Sequence, residues 1–196
     1  MRRFVIVVDT QADFMNVEGA LPVGGAAALA APMQDWLAAL DPAETEGVLF
    51  TFDTHSAETY PQSAEAELFP IHCVRGTPGW ANALDATAID PAIPVYRLEK
   101  GVFDMWAEPG LRIEAVATGG RDDRNAFFAR LKERGVAQVA VIGVAADYCV
   151  RWAVAGLLER GFAVVVPSAL TRGIDRQIEA VAADDFAGAA LNVEVA

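Results

Sequence analysis

The chain contains two histidines, His55 and His72. Both fall in one irregular stretch, "DTHSAETYPQSAEAELFPIHC", which spans residues 53–73 and also carries Asp53, Glu58, Glu65 and Glu67. Asp53 and His55 are spaced i, i+2, so on an extended segment their side chains project to the same side. A carboxylate and two imidazoles, with positions left open for water and a ligand, make a site of catalytic type for Zn2+ or another first-row divalent ion such as Fe or Mn. Glu65 is the leading candidate for a fourth protein ligand and Glu58 the second. Cys73 is a soft ligand by type, but it adjoins His72, and neighbours on an extended chain point apart. It is assigned to packing.

A second set of reactive residues sits just after apolar runs. Asp9 follows "FVIVV", Asp53 follows "GVLFTF", Lys100 lies just past "IPVYRL", and Cys149 comes shortly after "QVAVIGV". Ligands of open parallel sheets bind beyond the carboxyl ends of the strands, so these residues would share one edge. Cys149 is the candidate nucleophile. "GVAADYCVRWAVAGLLERG" runs from a strand through a small-residue turn into a helix, with Cys149 in or near the first turn. The partial positive charge and unpaired N–H groups of a helix start favour a thiolate and can hold an oxyanion. The competing reading is a small buried hydrophobe, the commonest fate of a free cysteine. With the histidines committed elsewhere, Asp9 is the available proton acceptor, and Lys100 is the cation that stabilises the thiolate and orients the carboxylate.

Such an edge needs strands to deliver it. Near-continuous apolar runs at residues 4–8, 47–52, 93–98, 138–144 and 162–167 predict a parallel sheet covered on both faces. Helical patterns occupy residues 24–40, 122–135 and 147–161, and Pro32 either kinks the first or marks a later start. The tail reads as one more helix and a short edge strand. The expected fold class is α/β: a three-layer sandwich with a doubly wound, mostly parallel sheet of about six strands and helices on both faces. One domain over residues 1–196 is expected, carrying a metal-site loop at 53–80 within a long irregular segment that reaches residue 93.

Composition narrows the function. The chain has 196 residues, 54% of them hydrophobic, and a formal net charge of -12 with no basic stripe along the sequence. Nucleic acid is a poor partner, because its affinity rests on neutralising phosphates. No apolar run approaches the roughly 18 residues of a membrane span. "MRRFVIVVDT" imitates a signal peptide, but its apolar run ends at Asp9, short of the roughly 7–15 residues of a signal core. Two cysteines make no disulfide framework, which points to a reducing cytoplasm.

Over most of its length the sequence also resembles a family. "VVDTQADF", "FDTH", "FPIHCVRGTPG", "EKG" and "GVAADYCVRWA" occur in the order seen in nicotinamidases of the isochorismatase-like cysteine hydrolase superfamily. The resemblance implies Asp9, Lys100 and Cys149 as catalytic residues and Asp53, His55 and His72 as metal ligands. Glu65 then stands as the glutamate variant of a position that some relatives fill with a third histidine. It also implies a cis peptide between Val144 and Ala145 and an oxyanion hole made by the Ala145 and Cys149 N–H groups. Phe14, Phe69, Phe103, Trp106 and Tyr148 are assigned to substrate binding, with Phe14 and Phe69 against the ring. The implied reaction converts nicotinamide to nicotinate and ammonia through a cysteine thioester, and the implied assembly is a dimer or tetramer. Two positions depart from the pattern. Ala12 replaces the usual asparagine, and Phe69 stands where some relatives carry a ring-stacking tryptophan. A related amidase acting on another small amide, or a silent fold relative that binds a ligand, are the alternatives.

Overall fold

The computed structural model describes residues 2–195. Strand β1 (Arg3–Val8) lies at the centre of the sheet, between β2 (Thr45–Asp53) and β6 (Gln138–Val144), and pairs in parallel with both. Its alternation builds two cores. Phe4, Ile6 and Val8 enter one, whereas Val5 and Val7 enter the other. All five are fully or almost fully buried. Burial of each such side chain contributes about 1.5–3 kcal/mol relative to exposure.

The remaining strands are β3 (Val95–Lys100), β4 (Arg112–Ala115), β5 (Arg121–Asp123), β7 (Ala163–Pro167), β8 (Thr171–Arg172) and β9 (Leu191–Glu194). The sheet has nine strands in the order β5-β4-β3-β2-β1-β6-β7-β9, with β8 on the end of β6. This exceeds the expected six. The additional β4 and β5 pair antiparallel beyond β3, and "RIEA" and "RDD" carry too few apolar residues to read as strands. β3 begins two residues later than its apolar run, at Val95, and so takes Lys100 in as its last residue.

Helices α1 (Ala12–Met15), α2 (Ala30–Ala38), α3 (Arg124–Glu133), α4 (Cys149–Glu159) and α5 (Ile178–Asp185) complete the layers. Pro32 marks a late start to α2, which a 3-10 turn over Ala26–Leu29 precedes. The Asp123 carboxylate caps α3 by accepting the Ala126 N–H at 2.9 Å. Phe127, Phe128 and Leu131 of α3 pack in the same core as Val150, Ala153, Val154 and Leu157 of α4. Between β2 and β3 only short 3-10 turns interrupt the irregular chain. Among the described residues no helix is long and apolar enough to cross a membrane.

One register decides the site. Asp53 and Lys100 are the last paired residues of β2 and β3, and Thr51 lies beside Val8, the residue before Asp9. On the other side, Gly143 pairs with Val8 at a φ of +120°. A Cβ there would meet the Val8 carbonyl oxygen at 2.1 Å, so only glycine lets β6 approach.

Candidate active site and metal centre

Three chain segments bring Asp9, Lys100 and Cys149 together at the carboxyl edge of the sheet. Lys100 Nζ lies 2.7 Å from Asp9 Oδ2, 3.6 Å from Asp53 Oδ1 and 3.5 Å from Cys149 Sγ. The Thr51 hydroxyl donates to Asp9 Oδ1 at 2.5 Å, and the Asp9 N–H donates back to that hydroxyl. Asp9 itself has a φ of 48°, an uncommon conformation for a residue with a Cβ. Cys149 is the first residue of α4. The Val144–Ala145 bond is cis. The Ala146 N–H is bonded to the Arg172 carbonyl, and the Tyr148 and Val150 N–H groups to that of Ala145. The Ala145 and Cys149 amides make no hydrogen bond among the described residues.

Electrostatics assign the protons. Burial opposes charge on Lys100, but Asp53 and Asp9 outweigh it and carry the ammonium well above the ordinary lysine value. Burial also pushes the Cys149 thiol well above its usual value. Lys100 opposes this, while Asp9 and Asp53 add to it. Burial and the two carboxylates thus favour the protonated thiol, whereas Lys100 and the helix start favour the thiolate.

The second set of ligands forms one cluster. Suitable atoms of Asp53, His55, Glu65 and His72, all buried, lie within 4.8 Å of one another. Asp53 Oδ2 is 3.1 Å from His55 Nε2 and 3.0 Å from His72 Nε2, and Glu65 Oε2 is 3.3 Å from His55 Nε2. His72 Nδ1 lies 2.8 Å from the Pro70 carbonyl, which accepts only from an N–H. That contact places a ring proton on Nδ1 and leaves Nε2 facing Asp53 Oδ2. Both Glu65 oxygens are buried without a hydrogen-bond partner. Two imidazole nitrogens and two carboxylates converge on one buried point, and with the imidazoles deprotonated that donor set fits a divalent ion. Burial disfavours a charged His55, yet the Asp53 and Glu65 carboxylates prevail and hold its pKa up at about 9. Despite burial, Lys100 and the two imidazoles keep the Asp53 carboxyl well below the usual range. Glu58 is exposed, outside this group. Cys73 is fully buried, its thiol pushed up by burial, in keeping with packing.

Three residues outside the expected set hold the ligands in place. Gln11 donates to the Asp53 carbonyl and accepts the Asp53 N–H, both at 2.8 Å, and also donates to the Trp80 carbonyl. Asp13 accepts the Cys73 N–H at 2.7 Å and the Ala20 N–H at 3.0 Å, which ties α1 to the residue after His72. Gly79 of "GTPG" abuts this carboxylate, where a Cβ would sit 2.2 Å from Asp13 Oδ1. The Tyr60 hydroxyl contacts the Phe69 and Pro70 carbonyls at 3.0 Å, and its ring stands edge-on to both imidazoles. The spacing of "D-x-Q-x-D-F" carries Gln11 and Asp13, but nothing local to that motif names their partners some 40 to 60 residues away.

The aromatic residues divide. Phe14 packs on His72 with ring centroids 5.2 Å apart. Phe69, Phe103 and Tyr148 form a triangle with centroid separations of 5.3–5.8 Å. Trp106 is placed elsewhere, correcting its assignment to substrate. It packs on Phe128, donates to the Ala153 carbonyl and lies against Gly156 and the Arg160 guanidinium. These contacts lie one to three turns along α4 from Cys149, because the loop after β3 folds across the outer length of that helix.

Comparison with known proteins agrees with this geometry. The isochorismatase domain model matches residues 3–194. The nicotinamidase/pyrazinamidase of Mycobacterium tuberculosis is 32% identical over 97% of each chain. The pyrazinamidase of Pyrococcus horikoshii, solved in complex with zinc, superposes with a TM-score of 0.72 at 26% identity over the whole of both chains. The N-carbamoylsarcosine amidase of Thermoplasma acidophilum shares the fold, with a TM-score of 0.72 at 21% identity over 100% of this chain and 96% of that one. The chain belongs to the isochorismatase-domain family and is an amide-hydrolysing enzyme.

Proposed function

We propose that this enzyme hydrolyses nicotinamide to nicotinate and ammonia through a thioester on Cys149. The observation that carries the reading is the convergence of Cys149, Asp9 and Lys100 within contact distance beside the buried Asp53, His55, Glu65 and His72 cluster. Asp53, His55, Glu65 and His72 would hold a divalent ion, with zinc the first candidate, and the bound ion would supply a Lewis-acid anchor for a ring nitrogen and for water.

The chain's own residues account for the covalent steps. Phe14 and Phe69 flank the substrate ring. Cys149 Sγ attacks the amide carbon while its proton passes to the Asp9 carboxylate, which shares with the thiol the Lys100 ammonium that contacts both. The carbonyl π electrons move onto oxygen, where the free Ala145 and Cys149 N–H groups receive them. Collapse breaks the C–N bond, and Asp9 returns its proton to the departing nitrogen as ammonia. Water then attacks the thioester with Asp9 taking its proton, and the C–S bond breaks. The sulfur recovers a proton and nicotinate leaves. Lys100 stays cationic throughout and offsets charge on sulfur and carboxylate.

Replacing Cys149 with Ala is expected to abolish ammonia release from nicotinamide while leaving metal content unchanged. Undiminished release by that variant would refute the thioester route. Phe69 in place of a ring-stacking tryptophan favours a second reading, an amidase for another small or heterocyclic amide. A panel of amides assayed for ammonia separates the two.

A further inference from the structure

We propose that a cleft on the antiparallel side of the sheet is a binding site for a phosphate-class anion. Leu98 and Ile113 of β3 and β4 point into the core, so by alternation Arg97, Glu99, Arg112 and Glu114 project from the opposite face. Arg121 of β5 and Arg75, three residues after His72, complete the walls. The cleft of about 210 Å3 is lined only by these six charged residues.

Their pairing leaves positive charge over. Glu114 is shared by Arg97 at 3.3 Å and Arg121 at 2.7 Å, while Glu99 is shared by Arg97 at 3.6 Å and Arg75. Each carboxylate thus spaces and orients two guanidiniums. Arg112 has no carboxylate partner among the described residues, and its guanidinium donates to the Arg121 carbonyl at 3.0 Å. Four guanidiniums against two carboxylates leave two positive charges uncompensated, within a chain of net charge -12. The sequence has no basic stripe, so this surplus is created by the fold: strand register sets Arg97 beside Glu114 and Glu114 beside Arg121, and the loop after His72 adds Arg75. Planar guanidinium forks match the oxygens of a phosphate, and prior orientation by the glutamates lowers the entropy cost of gripping one. The ligand class is a phosphate or pyrophosphate group, either free or carried as an ester on a small metabolite. Because the Arg75 N–H donates to the His55 carbonyl at 3.0 Å, an occupant would also tether the segment that follows His72.

The test is isothermal titration of the full chain with inorganic phosphate, inorganic pyrophosphate and a nucleoside monophosphate, at low ionic strength and at about 0.15 M salt. Saturable binding of one anion per chain is expected, weakened but retained at the higher salt. Tighter binding of the nucleotide identifies an ester, and tighter binding of the inorganic ions a free anion. R112A removes a guanidinium without breaking an ion pair and should weaken binding about tenfold, and R112A/R121A further, as expected for charge-assisted contacts. Both variants should keep the wild-type amidase rate and circular dichroism. Absence of saturable heat, or equal affinity in wild type and R112A/R121A, overturns the site and leaves the amidase reading intact.

Discussion

Lys100 offers the sharpest test of the charge arrangement. Replacing it with Met keeps most of the side-chain volume and removes a buried cation held 2.7 Å from Asp9 and 3.6 Å from Asp53. At an effective dielectric constant near 20, those separations correspond to about 6 and about 5 kcal/mol of attraction. Desolvation of the three ions offsets much of this, and breaking a buried pair by removing one partner costs about 3–5 kcal/mol in practice. For a chain of this size, that loss lowers the thermal midpoint by about 6–20 °C. Urea unfolding with chelator present should show it directly. Added zinc should recover part of the deficit, since an ion beside Asp53 replaces some of the missing positive charge. Ammonia release, measured well below the midpoint, should fall by at least about a hundredfold, because the proton-transfer pair loses its counter-ion. A K100M protein within about 1 kcal/mol of wild type in chelator would sink the argument: the aspartates would then not depend on that ammonium.

Other consequences follow from the same geometry. Replacing His55 and His72 together with Ala should reduce bound metal to background by elemental analysis, and retained stoichiometric metal would remove the site. D13N exchanges an acceptor for an amide that can donate towards the Cys73 N–H. It is expected to weaken metal binding about 10–100-fold by competitive chelator titration, while A12N, one residue earlier, should leave metal affinity within about twofold. The metal-free protein should also show a defined pH dependence. A histidine whose pKa rises from 6.5 to about 9 on folding contributes stability that is complete below about pH 6.5 and fades as pH climbs through about 9. Chelated protein should therefore be less stable at pH 9.5 than at pH 6.5 in urea. Metal affinity should rise over the same interval, because binding displaces that proton. A flat stability profile across this range would contradict the His55 environment.

Much of the architecture was legible residue by residue. Five apolar runs marked the parallel strands, because a strand covered on both faces must be hydrophobic throughout. The chemistry at their ends was legible for the same reason: Asp9, Asp53 and Lys100 interrupt or follow apolar runs, where a charged residue needs a cause. β4 and β5 were not legible. Their exposed faces carry arginine and carboxylates, and their apolar content is too small to signal a strand. Trp106 was not legible either, because an aromatic residue shortly after Lys100 has the same local signature whether it faces the candidate site or the far length of α4.

The order of residues by itself determined which groups are candidates for chemistry, which strand end carries each, and which loop holds the imidazoles. These are properties of residue type and spacing, fixed before any long-range contact forms. Tertiary structure alone decided the burial around Cys149, the exposure of Glu58, the partners of Gln11 and Asp13, and the surplus of guanidiniums beside β4. Each depends on distance and burial between segments far apart in the chain. Coulomb attraction and desolvation act through space, so they become defined only when the strands have taken their register.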